Sequence, residues 1–235
     1  MINIDKTEVF GWESAIRGMR NPMNSWDKSD SWPFVQKDIL ANECLGRGFH
    51  IGENDLKLMK TLSKAGSDHG KFLRMINVTC DINAPLYWWK EYDTYKVGTV
   101  ANSCSTMHKI HAKEFTFDDF SIDKLHKISL LHFEEMIDLL NNWRNIYLNG
   151  GMVDNYDGTA RIYEVKDKDA WWQMIQLLPS SYNQKRTVQL NYQVLKNMYN
   201  ARKTHKLDEW HTFCDWCETL PYFKEICLGE DNNEK

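Results

Sequence analysis

A chain of 235 residues is long enough for one sizeable domain with one core, and no internal stretch reads as a linker. With 42% hydrophobic and 13% aromatic residues, ten of them tryptophan, it specifies a packed globule and excludes a disordered chain. A net charge of -4 built from mixed signs excludes broad electrostatic capture of DNA or RNA, although a small nucleotide needs only a few local cations.

No segment approaches the apolar length of a membrane span, and the stretch from Met1 to Lys6 lacks the apolar region of a signal peptide. A cytoplasmic protein is the expectation. The six cysteines (Cys44, Cys80, Cys104, Cys214, Cys217 and Cys227) form no regular framework and are expected to be reduced there.

In chain order, Trp12 to Met19 predicts a short helix ended by Asn21 and Pro22. Asn24 to Pro33 is polar and turn-like apart from Trp26 and Trp32, a loop that packs over a neighbour first and acts as a lid second. Phe34 to Leu45 and Asp55 to Lys64 read as helices, the second closed by Gly66. From Met75 to Ile82, the apolar residues Ile76, Val78, Cys80 and Ile82 alternate with polar ones, the clearest strand in the chain. Ala84 to Asp93 predicts a helix with Pro85 near its start, where proline is tolerated. Thr94 to His108 is irregular and dense in small polar residues.

The longest predicted helix runs from Ser121 to Leu148, with an apolar stripe from Ile128 and Leu131 to Ile146 and Tyr147 and a stop at Gly150. Asp167 to Leu178 is a further helix ended by Pro179, and Thr187 to Leu190 a strand. Helices over Tyr192 to Arg202 and Leu207 to Leu220 precede an acidic tail. The fold class is therefore helix-rich with a small strand component, one domain over 1–227 and a disordered tail over 228–235.

Several motifs lead nowhere. Cys214 and Cys217 form a C-x-x-C near His205 and His211, but a zinc site needs two further ligands at matching spacing, so buried free thiols are the better account. Gly46 and Gly48 neither follow a predicted strand nor open a helix, so they make no dinucleotide fingerprint, and no phosphate loop exists. His132, Glu134 and Glu135 lack an answering E-x-x-H helix and read as a solvated face.

Two segments resist a purely structural reading. Val97 to His108 packs small hydroxyl and amide groups with glycine, a composition suited to closing on a polar ligand, although a plain polar loop has the same composition. Leu178 to Arg202 places a proline stop, a strand, Asn191 at its end and Arg202 three turns down the next helix. Arg202 and Lys203 there suit either a phosphate or the C-terminal dipole of a helix.

In order, these segments resemble the flavin-dependent thymidylate synthases. That family carries R-H-R-x-x-S-x-N-E-x-S-x-R-Y, later L-P, an asparagine twelve residues after the proline and an arginine eleven residues beyond it. Here Pro179 to Asn191 is twelve and Asn191 to Arg202 is eleven, while Asn102 and Ser105 match N-x-x-S and His69 precedes the first strand. The matches cover about a third of the chain.

The resemblance implies an α+β fold with a small, mostly antiparallel sheet and a homotetramer with sites where subunits meet. It also implies transfer of a one-carbon unit from methylenetetrahydrofolate to dUMP or a similar pyrimidine nucleotide, with FAD reduced by NADPH. By position, Ser105 and Arg202 would touch the nucleotide, while His69, Asn102, Asn191 and Lys96, the last standing in the R-H-R stretch, would serve the flavin. The sequence departs from the motif at Tyr95, Lys96 and Val97 in place of R-H-R, at Ser103 for glutamate, at Met107 for arginine and at His108 for tyrosine. The arginine expected before the L-P proline is Ile175. Lys90, Lys109 or Arg186 are candidates to restore the lost charge. Two readings follow: a divergent methyl- or hydroxymethyltransferase, or a homologue that binds or sequesters a nucleotide without flavin chemistry. For the second, Tyr87, Trp88 and Trp89 could stack a base, although three aromatics on one helix more simply form core. A purely structural protein leaves the polar stretch from Gly98 to Ser105 unexplained.

Overall fold

The computed structural model describes residues 2–38, 43–155 and 157–230. Strand β1 (Asn3–Phe10) leads into helix α1 (Trp12–Arg20) through Gly11, whose φ of +95° and close approach to Met75 leave no space for a side chain. After two short 3-10 turns come β2 (Trp32–Asp38), β3 (Glu43–His50), α2 (Glu53–Lys64), β4 (Asn77–Pro85) and α3 (Leu86–Tyr92). The irregular centre holds β5 (Val100–Ser103) and the single turn α4 (Thr106–Lys109). Then follow α5 (Lys127–Asn149), β6 (Gly151–Asp154), β7 (Ala160–Tyr163), α6 (Lys168–Leu177), β8 (Asn183–Asn191), α7 (Tyr192–Arg202) and α8 (Asp208–Thr219). A four-stranded sheet has the order β1-β4-β8-β5, and β2-β3 and β6-β7 form separate antiparallel pairs. The class is the expected one: helix-rich α+β with a small antiparallel sheet.

The structure departs from the expected elements in specific places. The helix expected over Phe34 to Leu45 is instead part of the β2–β3 hairpin, with residues 39–42 outside the described residues. Phe34 faces Gly48 across the ladder, and a Cβ on Gly48 would come within 2.3 Å of the Phe34 ring, so the ring lies flat on glycine backbone. Cross-strand contact thus decides the segment rather than its local pattern, and Gly46 and Gly48 are strand residues. The long helix starts at Lys127 rather than Ser121, because Phe120 bridges Tyr182 and the Ser121 amide donates to Ser181 O. The expected strand Thr187 to Leu190 is the inner part of the longer β8. Beyond α8, Lys224–Leu228 form a helical turn that buries Glu225, Ile226 and Cys227, and residues 231–235 lie outside the described residues.

Contacts sort the chain into two compact units, one of 1–3, 82–94 and 102–187, the other of 4–81, 95–101 and 188–235. In the first, α5 packs on α6 around Ile110, Phe115, Phe120, Ile137, Leu140 and Met174. Ile137 and Leu140 supply the buried face of α5, whereas Ile128 and Leu131 of the expected stripe are more than 60% exposed. In the second unit, β4 buries Val78 and Cys80, and Tyr192 stacks edge-on to Trp12 and Phe223. Among the described residues no helix is long and apolar enough to cross a membrane.

Candidate functional site

Helix α7 organises the site in the second unit. Its start is fixed by Asn191, whose Oδ1 accepts the Val194 amide at 3.0 Å as the helix N-cap. The loop carrying Lys96 reaches this first turn at Gly98. With φ of +78°, Gly98 lies so close that a Cβ there would stand 3.1 Å from both Asn191 Nδ2 and Val194. The 3-10 turn Gly70–Arg74, which follows His69, meets the same turn of α7, since a Cβ on Gly70 would come 3.7 Å from Gln193 Oε1. The segments bearing His69, Lys96 and Asn191 therefore converge on one helix end. The His69 and Lys96 side chains are exposed and have no hydrogen-bond or ion-pair partner among the described residues.

The other end of α7 carries Arg202. Its guanidinium lies over the Trp210 ring at 4.8 Å and over the Tyr95 ring at 5.5 Å, and its Nε donates to Tyr95 Oη at 2.9 Å. Tyr95 is itself held, because Thr99 Oγ1 donates to its carbonyl at 2.6 Å. One loop thus clasps α7 at both ends, Gly98 at the first turn and Tyr95 at the last. Cation–π contact and a charge-assisted hydrogen bond orient the guanidinium.

Asn102 and Ser105 belong to the first unit. Asn102 is exposed in β5, and Ser105 caps α4 by accepting the His108 amide at 3.0 Å. Between them Cys104 is pinned at both backbone groups: its amide donates to Lys185 O, and its carbonyl accepts Gln184 Nε2 at 2.8 Å. The stretch is thus a built edge of the sheet, more ordered than its composition suggests.

Of the residues that depart from the family motif, Val97 and Met107 are exposed and Ile175 is not. Ile175 packs against the core of the first unit, and the Met107 carbonyl accepts Trp171 Nε1. Arg186, a candidate to restore charge, stacks on Trp89 at 4.1 Å, donates to Gln184 Oε1 and pairs with Asp93 at 2.7 Å. Lys90 and Lys109 are exposed. Trp88 and Trp89 are fully buried, so neither is free to stack a base, and they are core as their shared helix suggests.

Cys214 and Cys217 are buried and unbridged. Burial pushes the Cys214 thiol up to about 11 and that of Cys217 well above its ordinary value. No group of three or more candidate ligands among the described residues could hold a metal ion. His132 pairs with Glu135 on a fully solvated helix face.

Sequence reasoning missed Tyr95 and Trp210 as partners of Arg202, which nothing in local spacing reveals. It also missed a buried polar centre in the second unit. Asp55 accepts Arg20 Nε at 2.6 Å, Ser29 and Ser31 hydroxyls at 2.7 Å each and the Asp30 amide. Burial alone would raise the Asp55 carboxyl, but hydrogen bonds from Ser31, Ser29 and Arg20 hold it below the usual carboxylate range. Arg20 also donates to the carbonyls of Ser25 and Lys28, and the Asp30 carboxylate caps α2 through the Asn54 and Asp55 amides. The loop expected first to pack over a neighbour is therefore fastened at several points.

No family's sequence profile matches this chain, and no curated protein matches it. Solved structures do. Two crystal structures of thymidylate synthase X from Helicobacter pylori, each with FAD and dUMP, share its fold with TM-scores of 0.61 and 0.62. They are 14% and 13% identical to it, and each comparison covers 97% of this chain and 98% of the other. Over nearly its whole length, the chain has the fold of a flavin-dependent thymidylate synthase.

Proposed function

We propose that this protein is a divergent flavin-dependent thymidylate synthase-like enzyme that transfers a one-carbon unit to a pyrimidine nucleotide resembling dUMP. The observation that carries this reading is α7, where Asn191 and the free Lys96 and His69 segments meet at one end and an oriented, charged Arg202 stands at the other. The fit to a flavin is supported by Gly98. Gly98 lets the backbone of the loop that carries the exposed Lys96 pack directly on Asn191 at the start of α7. This brings together backbone, a side-chain amide and a lysine-bearing segment, groups suited to a ligand with amide edges and a pyrophosphate.

In this reading Asn191, Asn102, Lys96 and His69 hold the flavin, and Ser105 and Arg202 hold the nucleotide. Bound FAD, reduced by NADPH, would supply the redox chemistry by which methylenetetrahydrofolate's carbon becomes a methyl group. The chain's own contribution is positioning: Tyr95 and Trp210 keep the Arg202 guanidinium from swinging, so a phosphate would meet it with little ordering cost. A homotetramer and a cytoplasmic location belong to the same proposal.

A second reading, a nucleotide-binding homologue without flavin chemistry, is favoured by Met107 and Ile175. Two of the family's cationic positions are uncharged here, Ile175 packed on a core and Met107 nearly half exposed, and the loss of one buried charged contact costs on the order of 2–3 kcal/mol. The visible absorbance spectrum after loading FAD and removing the excess separates the two. Retained flavin whose spectrum shifts with dUMP supports the enzyme; a colourless protein that binds pyrimidine nucleotides in calorimetry supports the second reading.

A further inference from the structure

The second unit carries a cleft of about 1210 Å³ bounded by β1, the start of α1, the β2–β3 hairpin and the end of α8. Its walls are aromatic, formed by Phe10, Phe34, Phe49 and Trp216, with Phe10 and Phe34 nearly half exposed. Two of these rings are held in place. Trp216 Nε1 donates to Thr7 Oγ1 at 3.1 Å, and Phe34 lies on the backbone of Gly48.

Glu8 and Glu13 line the same cleft, are exposed, and have no cation partner among the described residues. Among the described side chains that line it there is no lysine or arginine. A phosphate-bearing ligand would be repelled there, so the cleft has a different chemistry from the α7 site. It adjoins a smaller pocket of about 250 Å³ that shares Glu13, Pro33 and Phe49 and is lined by the exposed Arg17.

We infer that this cleft binds a basic, proline-bearing peptide segment of a protein partner in extended conformation. Fixed aromatic faces stack proline rings and the aliphatic stems of lysine at little entropic cost, as in aromatic-lined grooves that take polyproline segments. The two unpaired carboxylates supply the charge complement, selecting lysine or arginine in the segment. The volume exceeds the range of about 300–1,000 Å³ typical of small-molecule pockets, and the adjoining pocket lengthens the track. This inference does not depend on the flavin reading.

The test uses the full chain and a fluorescein-labelled decapeptide alternating proline with lysine, read by anisotropy. Saturable binding that weakens with added salt is expected, and neither FAD nor dUMP should compete. The paired substitution Glu8→Gln and Glu13→Gln should weaken binding about fivefold, and Trp216→Ala about tenfold. Because both glutamates are exposed, the paired variant keeps its fold, which a thermal melt checks. The proposal is overturned by any of three outcomes: no saturable binding, equal binding of the peptide with every lysine changed to glutamate, or equal binding of a lysine–serine peptide lacking proline. Unchanged affinity in the paired glutamine variant overturns it as well.

Discussion

Arg202 is held by Tyr95, its Nε donating to the phenol oxygen at 2.9 Å while its guanidinium lies across the face of Trp210. The two residues stand 107 positions apart in sequence, and their contact ties the central loop to the last turn of α7. Hydrogen bonds to a charged group contribute about 1.5–3 kcal/mol. Tyr95→Phe keeps the ring but removes the acceptor, so urea unfolding should show stability lowered by that order. Nucleotide affinity should fall less in Tyr95→Phe than in Arg202→Ala, which removes the charge; an equal loss in both would mean that orientation, not charge, dominates.

The Arg20–Asp55 pair makes a pH-dependent contribution of known sign. The folded-state carboxyl lies below its ordinary value, because bonds from Ser31, Ser29 and Arg20 outweigh the opposing effect of burial. Its stabilisation is therefore fully present above the unfolded value of about 3.9 and fades as pH falls through the lower folded value. Removing one partner of a buried pair costs about 3–5 kcal/mol. Asp55→Asn should show a loss of that size at pH 7 in denaturant unfolding, and the gap from the parent should narrow only below pH of about 4. A gap that narrows already near neutrality would assign the effect to another group.

Much of the fold is legible in the sequence where one residue type has one structural use. The alternation from Ile76 to Ile82 became β4, the glycine after α5 became its stop, and Asn191 ends the strand β8 as expected. What failed was decided at long range. The β2–β3 hairpin rests on Phe34 meeting Gly48, a contact invisible to helical periodicity. Strand β1 went unread because six of its eight residues are exposed and it lies at a sheet edge, where charged residues such as Asp5, Lys6 and Glu8 are tolerated. Spacing singled out Asn191 and Arg202, but the residues they touch, Gly98 and Tyr95, come from a loop about a hundred residues earlier. Spacing along a chain says nothing of such a return.

Cysteine reactivity separates a packing role for the C-x-x-C pair from a metal or redox role. Burial raises Cys214 to about 11 and Cys80 and Cys227 to about 12, so few of these thiols ionise at pH 8. Cys104 is exposed in the loop before α4. Iodoacetamide at pH 8, followed by peptide mass spectrometry, should modify Cys104 well before Cys80, Cys214, Cys217 or Cys227. Chelator treatment should leave the melting temperature unchanged. Rapid labelling of Cys214 or a chelator-induced drop would return the pair to a metal-binding account.

Gly98 offers the sharpest separation of stability from binding. Its φ of +78° is strained for any residue with a side chain, and a methyl there would press on Asn191 Nδ2 and Val194 at 3.1 Å. Gly98→Ala should cost about 1–3 kcal/mol in urea unfolding, from backbone strain and the displaced loop. Asn191→Ala removes the cap instead and should cost about 1 kcal/mol. If the first turn of α7 forms the flavin's polar seat, both substitutions should weaken FAD retention by more than their effect on stability accounts for, measured by fluorescence quenching well below either melting point. A Gly98→Ala protein that is destabilised yet binds FAD as the parent does would leave the loop a structural clasp and move the flavin elsewhere.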